Sequence, residues 1–216
     1  MTSVPPRPKI YHITHVNNVK GIVDAGGLWS DKKRSRSHGS CTLVGISGIK
    51  QRRLTELPVP CHSGTHVGDY VPFYFCPRSI MLYILYRGNH RELAYQGGQE
   101  PIIHLQADMM TVIDWAAGAD VRWAFSDRNA GIRFAQFYAS MADLDEVNWK
   151  AVSANDFRDP LVKEGKQAEF LVYEFFPWRL VEKVGVMNDR VMNRVEDLLA
   201  KGKDKPVVSV ERSWYY

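Results

Sequence analysis

The apolar positions of the chain mark out short strand-like and helix-like stretches that follow one another without a regular βαβ alternation. Residues 10–14 (IYHIT) predict a first strand. Asn17 ahead of Val19, Ile22 and Val23, closed by Gly26-Gly27, predicts a short capped helix. Residues 30–42 (SDKKRSRSHGSCT) are polar, basic and punctuated by Gly and Ser, which predicts a mobile basic loop. A helix is predicted over 48–57, stopped by Pro58 and Pro60, and a second loop over 58–69. Residues 70–76 (YVPFYFC) are aromatic and extended, with Pro72 pointing to a sheet edge or a bulge because it has no N–H to give a ladder. Pro77 at a first helical position, followed by SIMLYILYR and Gly88, predicts a buried helix. Further strands are predicted at 102–105, 169–175 and 207–210. Further helices are predicted at 127–141, with Ile132, Phe134, Phe137, Tyr138 and Met141 inward, and at 177–184. Val191, Val195, Leu198 and Leu199 stripe a last helix ending at Gly202. This irregular mixture predicts an α+β fold rather than a doubly wound sheet.

Composition adds little until the charge is located. The chain has 216 residues, 45% apolar and 24% charged, an ordinary globular balance. A chain of this length buries roughly 70% of its unfolded surface, enough for one unaided core, so a single domain over 1–216 is expected. Cys41, Cys61 and Cys76 are too few for a disulfide framework. No window approaches the ~20 continuous apolar residues of a membrane span, and the start, MTSVPPRPK, lacks an apolar leader core. A soluble, cytoplasmic protein with no membrane partner is expected. Net charge is +4, but between Asp31 and Arg53 seven basic residues face one acid, giving +6 there and −2 elsewhere. That local field suits phosphate groups, and equally a solvated surface loop.

The common nucleotide cradles, GxGxxG and the Walker loop, are absent, as is a GxSxG elbow. Cys61, His62, His66 and Asp69 are metal-ligand types in one loop, yet complete no tetrahedral spacing. Cys76 follows bulky residues and reads as packed. Three segments carry more. On the first strand, His12 and Thr14 share a face suited to ribose and amide groups, or to a satisfied half-buried histidine. The aromatic run 70–79 is a stacking wall for a planar ligand, or simply core. In KEGKQAEFLV (163–172), Gln167 and Glu169 share a face at the head of an apolar strand, where a charged Glu is costly unless paired or working.

In that order the three segments resemble the three motif regions of the ADP-ribosyltransferase superfamily. Within it, IYHITH, KQRRL, HVGDYVPFYFCPRS, GGQEPIIHL, KQAEFLV and the final WYY are similar to the DarT family of DNA-modifying toxins, over about Pro8 to Tyr216. The resemblance implies one ADP-ribosyltransferase domain with a central split or mixed β-sheet flanked by helices. It implies transfer of ADP-ribose from NAD, as co-substrate without a metal, to a base of single-stranded DNA, thymine in the best-known branch. Guanine, RNA or a protein side chain are alternative acceptors, and a non-catalytic nucleic-acid-binding module is the alternative class. Glu169 and Arg53 match the family's catalytic residues. His12, Thr14, Tyr74, Gln167 and Arg53 fall at NAD-contacting positions. Lys32, Lys33, Arg34, Arg36, Lys50 and Arg52 are expected to track DNA phosphates. Asn129 stands where some relatives carry histidine, so it inherits no role. A macrodomain antitoxin, DarG, is the implied protein partner.

Overall fold

The computed structural model describes residues 3–34, 41–202 and 204–216. In chain order the first elements are β1 (Lys9–His15), α1 (Val19–Asp24), β2 (Gly27–Trp29), α2 (Asp31–Arg34), α3 (Ser47–Thr55), β3 (Tyr70–Tyr74) and α4 (Ile80–Arg87). They are followed by β4 (Ile102–Asp108), α5 (Met109–Gly118), β5 (Trp123–Asn129), β6 (Phe137–Tyr138), α6 (Trp149–Ser153) and α7 (Pro160–Gly165). The last are β7 (Ala168–Tyr173), β8 (Phe175–Pro177), β9 (Lys183–Val186), α8 (Asp189–Leu199) and β10 (Val207–Val210). Eight strands form one mixed sheet in the order β10-β9-β4-β1-β3-β7-β5-β6, and β2 with β8 makes a separate ribbon. Only the outer β9–β10 pair is parallel among the described strands. The fold is α+β, as expected.

The sheet is split down its middle, and Pro72 explains where. β1 pairs with β4 at seven successive positions and β3 with β7 at five. Between β1 and β3 a single register pair, Tyr11 opposite Tyr74, joins the two halves. Pro72 turns its carbonyl toward β1, where His12 Nδ1 meets it at 2.8 Å. A residue's N–H and C=O point to the same side in an antiparallel strand. The side of β3 facing β1 therefore lacks a donor at Pro72, and the ladder cannot close. The expected edge or bulge is thus an inner edge: β3 is hydrogen-bonded fully on one flank and opened on the other. Phe73, Phe125, Phe170 and Phe176 are all completely buried around β3, β5 and β7.

Several expectations are corrected. Residues 127–141 are not a helix: β5 runs to Asn129, a turn follows, and β6 returns. The turn is set by Ile132 N–H donating to Asn129 O at 3.2 Å and Gln136 N–H donating to Asp127 Oδ1 at 3.0 Å. Residues 177–184 form the end of β8, a 3₁₀ turn at Trp178–Leu180 and the start of β9, because Val184 and Val186 are fully buried in the sheet. The strand at 102–105 extends to Asp108, whose carboxylate then caps α5 by accepting from Thr111 N–H at 3.0 Å. The loop expected over 30–42 begins as helix α2, pinned by ion pairs from Lys32 to Asp69 (2.6 Å) and from Lys33 to Glu174 (3.1 Å). Asp31 in turn meets Lys50 of α3 at 2.8 Å. Arg36 lies outside the described residues. No helix among those described is long and apolar enough to cross a membrane.

Candidate active site

The split positions a polar cluster on an apolar floor. Glu169, second residue of β7, is only 2% exposed. It lies opposite Tyr74 in the β3–β7 register, and Tyr74 lies opposite Tyr11 of β1. A buried carboxylate needs a partner, and α3 supplies one. Arg53 makes a two-pronged pair with it, Nη1 to Oε1 at 3.0 Å and Nη2 to Oε2 at 2.7 Å. The helix reaches this depth because it lies directly on residues 67–69. A Cβ at Gly68 would stand 2.8 Å from Leu54 Cα, so glycine is required for the approach. Burial alone would lower the Arg53 pKa, but the charge and hydrogen bonds of Glu169 outweigh it and hold the guanidinium above its usual value.

β5 completes the cradle. Its register against β7 shifts between Phe125 and Asn129. In the irregular stretch the Glu169 N–H donates to Ser126 Oγ at 3.1 Å, in place of a ladder bond. Just beyond it, Ala130 N–H donates to Glu169 Oε1 at 3.1 Å. Three donors from two elements therefore fix the carboxylate. Gln167 sits one pleat away, its Oε1 accepting from Asn129 Nδ2 at 3.0 Å and its Nε2 donating to Lys163 O at 3.0 Å. Asn129 Oδ1 accepts from Gly131 N–H at 2.7 Å. Asn129 thus ties the β5 turn to the head of β7.

On the β1 side, His12 donates from Nδ1 to the Pro72 carbonyl, and burial lowers its pKa, so the ring is neutral. Thr14 is buried and its Oγ1 accepts from Asn18 Nδ2 at 3.0 Å. Asn18 also clasps Thr42, donating to its carbonyl and accepting from its N–H, both at 2.9 Å. Burial pushes the Tyr74 phenol above its usual pKa, reinforced by the Glu169 charge, so it stays protonated. The same burial raises the Cys76 thiol, in keeping with a packed side chain rather than a nucleophile. Of Cys61, His62, His66 and Asp69, His62 Nε2 meets Trp123 O at 2.8 Å and Asp69 accepts from His66 N–H at 2.8 Å and from Lys32. No group of three such residues able to hold a metal is found among the described residues.

The structure thus brings Arg53, Glu169, Gln167 and Tyr74 together at one head of the sheet, with His12 and Thr14 across the split. Of the expected phosphate-tracking residues, Lys32, Lys33 and Lys50 face carboxylates, and Arg52 donates to Gly131 O at 3.3 Å. Ser126, Asn18 and the Ala130 N–H escaped sequence reasoning. Only the Ala130-Gly131 pair, a turn signal inside a supposed helix, pointed toward one of them.

Comparison with known proteins is consistent with this layout. The family described as ssDNA thymidine ADP-ribosyltransferase, DarT, matches residues 11–216. A DNA ADP-ribosyl transferase of Thermus aquaticus is 40% identical over 209 residues, covering 96% of this chain and 88% of that protein. The structure of Thermus sp. 2.9 DarT in complex with ADP-ribosylated ssDNA superposes with a TM-score of 0.88 at 37% identity, covering 99% of both chains. The same Thermus protein in complex with NAD+ superposes at 0.84, covering 99% of this chain and 100% of that one.

Proposed function

Since the chain belongs to the ssDNA thymidine ADP-ribosyltransferase family, DarT, we propose that its split-sheet site moves ADP-ribose from NAD to a thymine base of single-stranded DNA and releases nicotinamide. The chain is an NAD-dependent DNA ADP-ribosyltransferase, and NAD is its co-substrate. The observation that carries the site assignment is the buried, two-pronged Arg53–Glu169 pair opposite Tyr74.

The chemistry follows from where charge develops. As the bond from C1′ of the ribose to nicotinamide breaks, its electron pair leaves with the nicotinamide nitrogen and positive charge builds on the sugar. Glu169, itself buried and already oriented by Arg53 and Ala130 N–H, steadies that charge, so little reorganisation is needed at the moment of reaction. Tyr74 flanks the departing ring. His12 and Thr14 line the β1 side, and Gln167 presents an amide beside Glu169. Thymine N3 then bonds to C1′ and its proton passes to solvent. Arg53 cannot be the base, because a guanidinium does not give up its proton near neutral pH. Its role is to hold Glu169 and to polarise a carbonyl of the incoming base. N3 lies on the pairing edge, so an unpaired base is required.

DNA phosphates would meet half-exposed Arg52, which reaches Gly131 O at 3.3 Å and Glu56 at 3.9 Å, and the more so at low salt. Lys32, Lys33 and Lys50 contribute by exchanging a carboxylate for a phosphate, joined by Arg34 and Arg36. The toxic role, the antitoxin DarG as partner and a cytoplasmic location belong to the same reading. The free thiols of Cys41, Cys61 and Cys76 fit that location. Incubation with NAD and a mixed single-stranded oligonucleotide, followed by mass spectrometry, should place ADP-ribose on thymine. Glu169→Gln should cut it about 10²–10³-fold and relieve toxicity on expression. Label found only on polypeptide would overturn the reading.

A further inference from the structure

The turn from β5 to β6 carries the most exposed large apolar side chain among the described residues, Phe134, at 79%. A lone exposed apolar residue is ordinary in itself. This one differs in its mount and its surroundings. Ile132 N–H donates to Asn129 O at 3.2 Å and Ala135 N–H to Ile132 O at 3.3 Å, which sets Arg133 and Phe134 at the two central positions of a tight turn. Ala130, Gly131 and Ala135 are buried beneath it. Asp127 N–H and carboxylate both hold Gln136, at 3.2 and 3.0 Å. The ring therefore projects from a base tied at both ends, and it joins none of the three hydrophobic clusters.

The surroundings are those of the reaction. Four residues before Phe134, Ala130 N–H holds Glu169 Oε1, and between them Gly131 O takes a hydrogen bond from Arg52. Exposed Arg133 and Gln136 border the ring, where an apolar peptide would need further apolar surface. We propose that Phe134 is a stacking platform for an unpaired nucleobase next to the acceptor thymine, with Arg133 and Arg52 meeting the phosphates beside that base. The inference rests on the DNA-transfer reading and adds a strand-binding element outside its reacting centre. A single-stranded binder gains from each aromatic–base stack and from each cationic contact by different physics: stacking persists in salt, phosphate contacts do not.

The test measures the dissociation constant for a fluorescent single-stranded oligonucleotide, with transfer rate and NAD binding measured alongside. Phe134→Ala should weaken oligonucleotide binding roughly 5- to 100-fold. It should raise the KM for DNA and leave NAD affinity unaltered, with the slope of affinity against salt preserved. Phe134→Trp should restore binding. Arg133→Ala should weaken binding less and reduce the salt slope by about one. Unchanged oligonucleotide affinity in Phe134→Ala would overturn the platform, as would an equal loss of NAD binding. Loss of oligonucleotide affinity alongside a wild-type protein that transfers nothing would support the platform while defeating the transfer reading.

Discussion

Lys50 and Arg53 lie one turn apart on α3, and each ends in a short ion pair, yet the two pairs differ in kind. Lys50 meets Asp31 at 2.8 Å with about a third of each side chain open to water. Arg53 meets Glu169 at 2.7 Å with 15% and 3% exposed. At the rim, water screens the attraction and would solvate either partner alone, so such a pair contributes little. On the floor neither partner can be left alone, because the survivor would be a charge without solvent. One helix therefore carries a replaceable contact at its wet face and an obligatory one at its dry face. Substrate phosphates can compete for the first. The second is the kind of preorganised charge a developing cation requires.

The comparison is broken most severely at Arg53. Arg53→Ala should cost about 3–5 kcal/mol in urea unfolding and remove transfer. Pairing Arg53→Met with Glu169→Gln should recover most of the stability and none of the activity, which separates the two roles. Glu169→Gln alone leaves Arg53 as the unpaired charge, so it should also lose stability, and it should lower the transfer rate about 10²–10³-fold in an oligonucleotide assay. If the rate is unaltered, the carboxylate is not in the site.

Next in size is a dependence on pH. His104 is fully buried, its Nε2 donating to Pro77 O at 3.0 Å just beyond β3, and burial lowers its pKa to about 4. The unfolded ring, near 6.5, takes up a proton that the folded one refuses. Stability from this group is therefore complete above about pH 6.5 and is lost as the pH falls toward 4, by about 2–3 kcal/mol. Unfolding midpoints from pH 7 to 4.5 would measure it, and His104→Gln should flatten the curve.

Smaller effects sharpen the comparison at its edges. Asn129→Ala leaves Gln167 Oε1 and the Gly131 N–H without their shared partner. It should cost about 1 kcal/mol and slow transfer by about fivefold, read as kcat at saturating NAD and DNA. Lys33→Ala should change unfolding free energy by less than about 1 kcal/mol. Its effect on oligonucleotide affinity should fade as salt is raised.

Much of the site was legible in the chain. Strand alternation put His12 with Thr14 and Gln167 with Glu169, and the cost of a carboxylate before Phe170-Leu171-Val172 marked Glu169. Tyr74 and Arg53 came only from the family resemblance. Strand and helix were confused only where apolar spacing fits both. Residues 127–141 read as a helix because Phe137, Tyr138 and Met141 fall at helical intervals, whereas the Asp127–Gln136 clamp that makes a hairpin is a contact no periodicity records.

Local chemistry was enough to specify that Pro72 would interrupt a ladder and that Glu169 would need a partner. These follow from one residue's donors, volume and charge. Which arginine answers Glu169, and which carboxylates answer the lysines, was settled only by folding. Arg53 and Glu169 lie 116 positions apart, and their meeting depends on how closely α3 can lie over Gly68 and on the irregular register of β5. Long-range pairing is chosen by the packing of whole elements, and that packing is shared among many side chains rather than written in any one of them.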